Sequence, residues 1–511
     1  MKPLEWQTNC LQTWARNGYR GIVKAVTGSG KTYLALSAVR RLESVSDRDL
    51  RVVIVVPRTF LASQWREEIK KHLDVRTWDI GIFSGIRKDF GRKFMIYVVN
   101  SARYSLSRYI LSELLNGRAV FLIADECHHY GSAENMHIFD FYPAMDKDAP
   151  YYALGLSATP EIANFKSIAI PLGREIYSYG LGDALRDNVI SRFILFSVRL
   201  GFTPDEAATY TEMSESLSIY LHKLRNLRPE LHGLPPAQFF ARLHKLARQD
   251  GGQDSAALAR AALTLIFNRR TVSHMATSRH HCAVSIVKAL PADFRVILFC
   301  ERIQAAEQLY RALRDVYPGQ TGLYHSQMAD LARQEMLERY KIGALRLLVC
   351  CKALDEGLNV PSTDAGVIVS SSMSARQRVQ RLGRLLRRSK EIKRVYYLYM
   401  GDSHEDRELV VGLEALCDDV PMVSLSYRGE MFRNSEYEKL RERVLTEAAA
   451  RGAGRETLNA LYHNMERVLP RGDFLLPEQA CREKLRACLP TKERNYWTSV
   501  LYAILARVGN L

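Results

Sequence analysis

The stretch that decides the fold of this chain is Ala25-Val26-Thr27-Gly28-Ser29-Gly30-Lys31-Thr32. It follows a β-branched, strand-like run and opens a segment with helical periodicity. The two glycines allow backbone N–H groups to turn inward around an anion at the positive end of a helix. A glycine-rich turn between a strand and a helix, ending in Lys-Thr, is typical of a nucleotide-binding phosphate loop. The stretch therefore predicts a nucleotide site, although Ala25 replaces the first glycine of the general pattern.

A second feature predicts hydrolysis of the bound nucleotide. Lys31 is expected to meet the β and γ phosphates of ATP, and the Thr32 hydroxyl to bind Mg²⁺. The apolar run of residues 119–124 leads into Asp125 and Glu126, at the carboxyl end of a strand, where ligands bind in open α/β sheets. We expect Asp125 to hold Mg²⁺, directly or through water, and Glu126 to orient and deprotonate the attacking water. Without the phosphate loop, the same acidic pair would indicate only a helix cap.

Working outward from the loop, short β-branched runs alternate with helical periods over residues 21–160 and again over residues 295–400. This rhythm is typical of parallel sheets covered by helices. Because 511 residues are too many for one ordinary core, we expect an α/β protein with two tandem domains. The expected boundaries are a first α/β domain at 1–200, a helical insertion or linker at 201–287, a second α/β domain at 288–402, and a C-terminal helical extension at 403–511.

Composition narrows the class of partner and the compartment. The net charge of +16 favours a polyanionic partner, although a soluble protein with a merely basic surface fits the charge equally well. The nine cysteines include no CxxC pair, which favours a reducing compartment without structural zinc. The first residues lack the apolar core of a signal peptide, and no run approaches the ~20 apolar residues of a membrane span. We therefore expect a cytoplasmic protein.

Further motifs resemble, in order, those of superfamily 2 helicases. Gln7 lies where that family places its adenine-reading glutamine. The remaining resemblances are residues 55–59 with motif Ia, 99–101 with Ib, 125–128 (Asp-Glu-Cys-His) with II, 157–160 (Ser-Ala-Thr-Pro) with III, 298–302 with IV, 354–361 with V, and 380–387 with VI. Seven motifs in the family's order are not an accident of composition.

The resemblance implies two RecA-like domains with ATP between them and nucleic acid lying across both. It implies nucleotide contacts from Asp355 and Gly357 and a coupling role for Ser157 and Thr159. The nucleic-acid contacts expected from motifs Ia, Ib, IV and V are made by Arg58, Thr59, Ser101, Arg302 and Lys352. Such contacts with phosphates position nucleic acid without reading its sequence.

Motif VI also has a physical argument of its own. Gln380, Arg384 and Arg387 are spaced i, i+4, i+7, so they share one face of a helix. Guanidinium groups on that face could reach a γ-phosphate held by the other domain and stabilise the charge that develops during transfer. The alternative is a solvated basic helix face, which the interleaved leucines disfavour.

Within the superfamily, the sequence is most similar to the XPB-type group and its prokaryotic relatives. That likeness implies a DNA motor of 3′ to 5′ polarity in repair, transcription-linked opening or genome defence, although residues 350–352 (Cys-Cys-Lys) stand where many relatives have a Thr or Ser in motif V. Three hypotheses stay open: a strand-separating helicase, a duplex translocase, and a nucleic-acid sensor that gates a partner, such as a nuclease, through its C-terminal helices. RNA also stays open as the substrate.

Overall fold

The computed structural model describes residues 3–158, 165–248, 253–351, 363–371, 392–407, 420–487 and 490–508. They form two parallel sheets, each covered by helices, so the predicted α/β class with two tandem RecA-like units is confirmed. Every strand-like run noted in the sequence is a strand. None of the described helices is both long and apolar enough to cross a lipid bilayer.

The first sheet has seven parallel strands in the order β3-β4-β2-β5-β6-β1-β7. Its strands are β1 (Arg20–Ala25), β2 (Leu50–Val56), β3 (Ile80–Phe83), β4 (Phe94–Val98), β5 (Ala119–Ala124), β6 (Tyr151–Ser157) and β7 (Glu175–Tyr179). The helices of this unit are α1 (Glu5–Arg16), α2 (Lys31–Val45), α3 (Thr59–His72), α4 (Val99–Ala102), α5 (Leu106–Leu115), α6 (Ala133–Met136), α7 (Phe165–Leu172) and α8 (Leu181–Arg186). Because helices cover both faces, β5 is apolar and buried along its whole length.

The second sheet has eight strands in the order β10-β11-β9-β12-β13-β8-β14-β15, all parallel except the last. Its strands are β8 (Phe193–Leu200), β9 (Val296–Cys300), β10 (Thr321–Tyr324), β11 (Leu347–Cys351), β12 (Ala365–Ile368), β13 (Lys393–Met400), β14 (Met422–Arg428) and β15 (Met431–Arg433). Three helices pack beside it in chain order: α12 (Thr277–Ala289), α13 (Ile303–Val316) and α14 (Asp330–Lys341).

Two expected boundaries differ from the structure. Strand β8 lies in the second sheet, between β13 and β14, so the first unit ends before residue 193 and not at residue 200. At the other side of the insertion, α12 packs into the core of the second sheet through Cys282, Ile286 and Val287. The second unit therefore begins within the range assigned to the insertion.

The helices between β8 and α12 form what we call the helical arm: α9 (Pro204–Leu227), α10 (Pro236–Ala247) and α11 (Gln253–Met275). The arm has a small core of its own, built from Leu217, Leu224, Leu231, Leu243 and Leu246 with two alanines. Its base is fixed to the second unit, because the Tyr210 hydroxyl and the Arg269 guanidinium both donate hydrogen bonds to the buried Glu405 carboxylate.

The C-terminal extension was expected to be helical throughout 403–511, and in one part this is wrong. Strands β14 and β15 form a hairpin on the edge of the second sheet. Its turn places Gly429 and Glu430 at positive φ (55° and 64°), as in a two-residue type I′ turn. The described remainder is helical: α15 (Ser435–Ala450), α16 (Arg455–Arg471), α17 (Glu478–Arg486) and α18 (Thr491–Val508).

Candidate ATPase site and nucleic-acid interface

The predicted phosphate loop joins β1 to α2 in the expected way. Gly28 and Gly30 have φ values of 86° and 92°, which glycine adopts at little cost. A Cβ added at Gly30 would lie 2.8 Å from the Gln7 side-chain nitrogen. That nitrogen donates a hydrogen bond to the Gly30 carbonyl at 3.1 Å, while Gln7 Oε1 accepts one from the Leu4 amide at 2.8 Å. The structure thus puts Gln7 against the end of the loop, and its contact with adenine stays a prediction.

The loop has the properties that a polyphosphate requires. Lys31 Nζ lies 2.9 Å from the Ala25 carbonyl oxygen, to which it donates, so its ammonium group is at the mouth of the loop. Ser29 Oγ donates to the Val26 carbonyl at 2.7 Å and stiffens the turn. The Thr27 hydroxyl is buried and has no hydrogen-bond partner in the described part of the chain, which is costly unless another group supplies one. These residues and Thr32 fit a bound nucleotide.

The acidic pair follows β5, as predicted. Asp125 Oδ2 accepts a hydrogen bond from the indole Nε1 of Trp65 at 2.8 Å, and its Oδ1 accepts one from the Glu126 amide at 3.1 Å. Burial and the neighbouring Glu126 charge raise the pKa of Asp125 to about 6, against the Trp65 hydrogen bond and the Lys31 charge, which lower it. The phosphate loop and the acidic pair follow the carboxyl ends of β1 and β5, which are parallel strands on either side of β6, and the Lys31 charge acts on Asp125, so they belong to one site. Sequence reasoning missed Trp65.

Glu126 is held in an unusual conformation. Its φ and ψ are both 48°, a left-handed region that costs a residue with a side chain about 1 kcal/mol or more and often marks a functional position. Its Oε2 is buried, makes no hydrogen bond within the described residues, and lies 3.5 Å from His128 Nδ1. A carboxylate oxygen that accepts no hydrogen bond from a described residue is available to accept one from water, as a general base must.

One side-chain contact joins motif II to motif III. The ring nitrogen Nδ1 of His128 lies 3.0 Å from Ser157 Oγ, and both side chains are buried. Ser157 ends β6, the strand next to β5. This contact would transmit a displacement at the end of β6 to the acidic pair, and the coupling role expected of Ser157 stays a prediction. Thr159 lies outside the described residues.

The residues of this site suit Mg²⁺ better than a metal ion that needs a complete set of protein ligands. Among the residues that the structure describes, no three His, Cys, Asp or Glu side chains cluster as metal ligands. Mg²⁺ is usually held by one or two carboxylates, waters and the substrate's phosphates. Asp125, directly after β5, and Thr32, in the first turn of α2, are the kind of incomplete ligand set that Mg²⁺ uses.

The expected nucleic-acid contacts of the first unit lie along the carboxyl edge of its sheet. Arg58 and Thr59 are exposed at the start of α3, directly after β2, and Ser101 lies in α4, directly after β4. Strands β2 and β4 are parallel neighbours, so these side chains follow adjacent strand ends.

Arg302 lies at the same edge of the second sheet, after β9, but it meets a group that the sequence did not indicate. Its guanidinium carbon is 4.6 Å from the ring centre of Phe267 in α11, a ring that is 60% exposed. Burial and then the charge of Arg270 lower the pKa of Arg302. Sequence reasoning missed Phe267 and Arg270, because the arm's position beside β9 is a tertiary feature.

The positive charge at this corner is only partly compensated, because Glu301 acts on Arg302 less strongly than Arg270 does. Arg269 forms an ion pair with Glu405, and Arg279 forms one with Asp406. Arg270 and Arg302, in contrast, have no ion pair with any described carboxylate. Two neighbouring guanidiniums beside an exposed ring are suited to a phosphate and a base or sugar.

The residues expected from motifs V and VI lie outside the described residues. They are Lys352, Asp355, Gly357, Gln380, Arg384 and Arg387. Their roles stay predictions.

Comparison with known proteins finds helicases and translocases among the relatives of this chain. Residues 1–162 match the family model "Type III restriction enzyme, res subunit", and residues 282–389 match "Helicase conserved C-terminal domain". The chain is 27% identical over 390 residues to "DNA 3'-5' translocase XPB2" of Sulfurisphaera tokodaii, covering 75% of this chain and 78% of that protein. It is 23% identical over 410 residues to "Putative DNA 3'-5' helicase Rad25" of Haloarcula marismortui, covering 79% of this chain but about half (53%) of that protein.

Solved structures share the fold at low identity. The helicase domain of Pyrococcus furiosus Hef superposes with a TM-score of 0.50 at 16% identity, over 79% of this chain and 97% of that one. The DUF1998 helicase MrfA, bound to DNA and AMPPNP, gives a TM-score of 0.53 at 13% identity, over 83% of this chain and 51% of that one. Since a restriction-enzyme model and a helicase model match in chain order, and the first unit places the phosphate loop and the acidic pair as the helicase motifs require, this chain belongs to the ATP-dependent helicases and translocases of superfamily 2, among which it resembles the XPB-like proteins.

Proposed function

We propose that this enzyme couples ATP hydrolysis to movement along DNA in the 3′ to 5′ direction. The observation that carries the proposal is the assembly of Lys31, Asp125 and Glu126 in one site, joined to the end of β6 by the His128–Ser157 contact. The names of the XPB2 and Rad25 relatives support DNA as the track and 3′ to 5′ as the polarity.

The chemistry follows from the side chains. Lys31 and the loop amides bind the phosphates, and Thr32 and Asp125 would hold Mg²⁺, which would offset charge on the phosphate oxygens. Glu126 orients a water molecule and accepts its proton. Trp65 fixes the Asp125 carboxylate through a hydrogen bond of 2.8 Å. By resemblance, Arg384 and Arg387 supply positive charge from the second unit, so hydrolysis proceeds only when the two units close on the nucleotide.

Movement requires a grip on each unit. On the first unit we assign it to Arg58, Thr59 and Ser101, which follow adjacent strands. On the second we assign it to Arg302 with Arg270, two neighbouring guanidiniums that form no ion pair with a described carboxylate. The exposed ring of Phe267 adds a surface on which a base can stack, independently of sequence. Closure and opening of the units would then shift one grip relative to the other.

The finer alternatives are separable. Use in repair or in genome defence, cytoplasmic location, and gating of a partner nuclease through the C-terminal helices all stay predictions. The XPB2 relative is named a translocase, which favours a motor that moves along DNA without separating its strands. Such a motor would displace a bound third strand from a duplex without separating a fork.

The decisive experiment measures ATP hydrolysis with single-stranded, duplex and forked DNA and with RNA, using Glu126→Gln as the inactive control. We expect DNA to stimulate turnover of the wild-type enzyme and not of the variant. Displacement of a third strand, compared with fork separation, then distinguishes translocation from unwinding. An ATPase rate that no nucleic acid changes would contradict the proposal.

A further inference from the structure

A groove of about 880 Å³ lies over β14 and the ends of β8 and β13, and none of its described lining residues belongs to the nucleotide site. One glutamate, Glu436, is its only acidic lining residue within the described part of the chain. Five basic residues also line this cavity, which we call the basic groove: Arg199, Arg433, Lys439, Arg443 and Arg507. This excess of positive charge comes from three separate parts of the chain, so it is not one solvated helix face.

The floor of the basic groove carries polar donors in register. Tyr399, Arg199 and Ser426 pair across β13, β8 and β14, and Ser426 pairs in turn with Arg433 on β15. Ser424 and Asn434 also line the groove. Arginine and lysine interleaved with hydroxyl and amide groups are the set that proteins use for nucleic-acid phosphates.

Most of the charge in the basic groove has no acidic partner. Arg199 pairs with Asp402 at 3.3 Å and Arg433 with Glu438 at 3.7 Å, both at half-exposed positions, where ion pairs are weak. Lys439, Arg443 and Arg507 are exposed and form no ion pair with a described residue. Lys439 and Arg443 are also four residues apart on α15, where like charges repel. A bound polyanion would relieve this repulsion.

The position of the basic groove indicates which polyanion it binds. Strands β9, β12, β13, β8 and β14 are parallel, so Arg199 and Tyr399, near the ends of β8 and β13, lie toward the same sheet edge as Arg302. Three strand intervals separate β9 from β8 and five separate it from β15. At about 4.8 Å per interval, that is about 14 to 24 Å, or roughly four to seven nucleotides at about 3.4 Å each.

An acidic peptide would use the groove differently, as an added strand on β14. Residues 422–425 have no described strand on their outer side. That edge is short, however, and the Asn434 side chain already donates to the Ser424 carbonyl at 2.5 Å. Main-chain pairing, the usual basis for binding a peptide at a sheet edge, is therefore restricted here.

We propose that the basic groove binds the phosphate backbone of the DNA that continues past the motor's grip, and so lengthens the footprint of the enzyme. The inference rests on the proposed function. Its consequence is that affinity rises when DNA is extended by several nucleotides beyond the segment that Arg302 contacts.

The test measures the affinity of the enzyme for fluorescently labelled single-stranded DNA of about 12 and about 24 nucleotides. The additional nucleotides are placed at the 5′ end in one DNA and at the 3′ end in another. The test variant is Lys439→Glu/Arg443→Glu, at two exposed positions without described partners. The matched control is Arg486→Glu/Lys492→Glu, which makes the same charge change at exposed positions outside the groove. We expect the wild type and the control to bind the longer DNA more tightly than the shorter one. In the test variant this gain in affinity should be about tenfold smaller, and the slope of log affinity against log salt concentration should be lower in magnitude by roughly 1.4.

The outcomes distinguish a failure of the proposed function from a failure of DNA binding in the basic groove. A wild-type ATPase that no nucleic acid stimulates would remove the proposed function itself. Stimulation by DNA, together with an undiminished gain from added length in the test variant, would overturn the groove alone. Equal losses in the test and control variants would indicate an effect of net charge and would also overturn it. A normal affinity of the test variant for the short DNA shows that the loss is not one of folding.

Discussion

Replacing Trp65 with phenylalanine is expected to raise the Mg²⁺ requirement of ATP hydrolysis. Trp65 is buried in α3, and its indole nitrogen donates to Asp125 Oδ2 at 2.8 Å. The substitution keeps an aromatic ring and removes this donor. Burial and Glu126 already disfavour the charged carboxylate of Asp125, so loss of the donor leaves the expected metal ligand less well held and less readily ionised.

The size of the effect follows from the kind of bond. Hydrogen bonds to charged groups are worth about 1.5–3 kcal/mol, and about 1.4 kcal/mol corresponds to a factor of ten. We therefore expect the half-saturating Mg²⁺ concentration to rise roughly 10- to 150-fold, measured as steady-state ATP hydrolysis at fixed ATP and varied Mg²⁺.

The control for this experiment is Trp14→Phe. Trp14 is also buried in the first unit, and its indole donates to the Ala153 carbonyl at 2.9 Å, away from the acidic pair. Both variants lose a similar part of a buried ring, at a cost of about 1–3 kcal/mol in stability. If the half-saturating Mg²⁺ concentration is the same for both variants, Trp65 supports the fold only, and its proposed role at Asp125 is refuted.

Three further predictions concern substitutions at four positions. Lys31→Ala should abolish ATP binding and turnover, whereas Glu126→Gln should abolish turnover but keep binding, since it removes the base and leaves the phosphate loop; wild-type turnover by Glu126→Gln would rule out the assigned base. Ser157→Ala removes the hydroxyl beside His128 and should lower DNA displacement per ATP hydrolysed by about tenfold while turnover changes less, an expectation that equal losses in both assays would contradict. Burial, with the charges of nearby arginines, lowers the pKa of His274 to about 3 from 6.5, so its contribution to stability is present above pH 6.5 and is lost as the pH falls toward 3. Between pH 7 and pH 5 the wild type should lose about 2 kcal/mol more of its unfolding free energy than His274→Gln, measured by denaturant titration, and parallel pH profiles would show that His274 does not titrate as described.

The ATPase site was largely predictable because its signals are local. The phosphate loop and the Asp125-Glu126 pair each follow a strand directly, so a short stretch specifies both the residue type and its place in the sheet. Trp65 was not predictable in the same way. Its spacing with Leu61 and Ile69 marks the buried face of α3, but the pattern is the same whether the indole meets a carboxylate or only apolar neighbours.

The errors in the fold have a similar cause. The apolar run of β8 fits the interior of either sheet, and only its pairing with β13 and β14 assigns it to the second. The β14–β15 hairpin was missed because its turn uses Glu430 at positive φ, where Asn or Gly is the usual signal. The corner of Arg270, Phe267 and Arg302 depends on where the arm lies, which no local spacing encodes.

The attachment of the helical arm has a mechanical consequence. Both of its ends enter the second unit, through β8 and α12, and Tyr210 and Arg269 pin its base to Glu405. The arm must therefore turn with that unit as a lever. From Tyr210 to Leu227, α9 extends about 25 Å, so a rotation of about ten degrees would carry the tip through roughly 4 Å. A dye attached at the exposed Leu227 and a second on the first unit would convert each catalytic cycle into a change in energy transfer, without a label near the nucleotide.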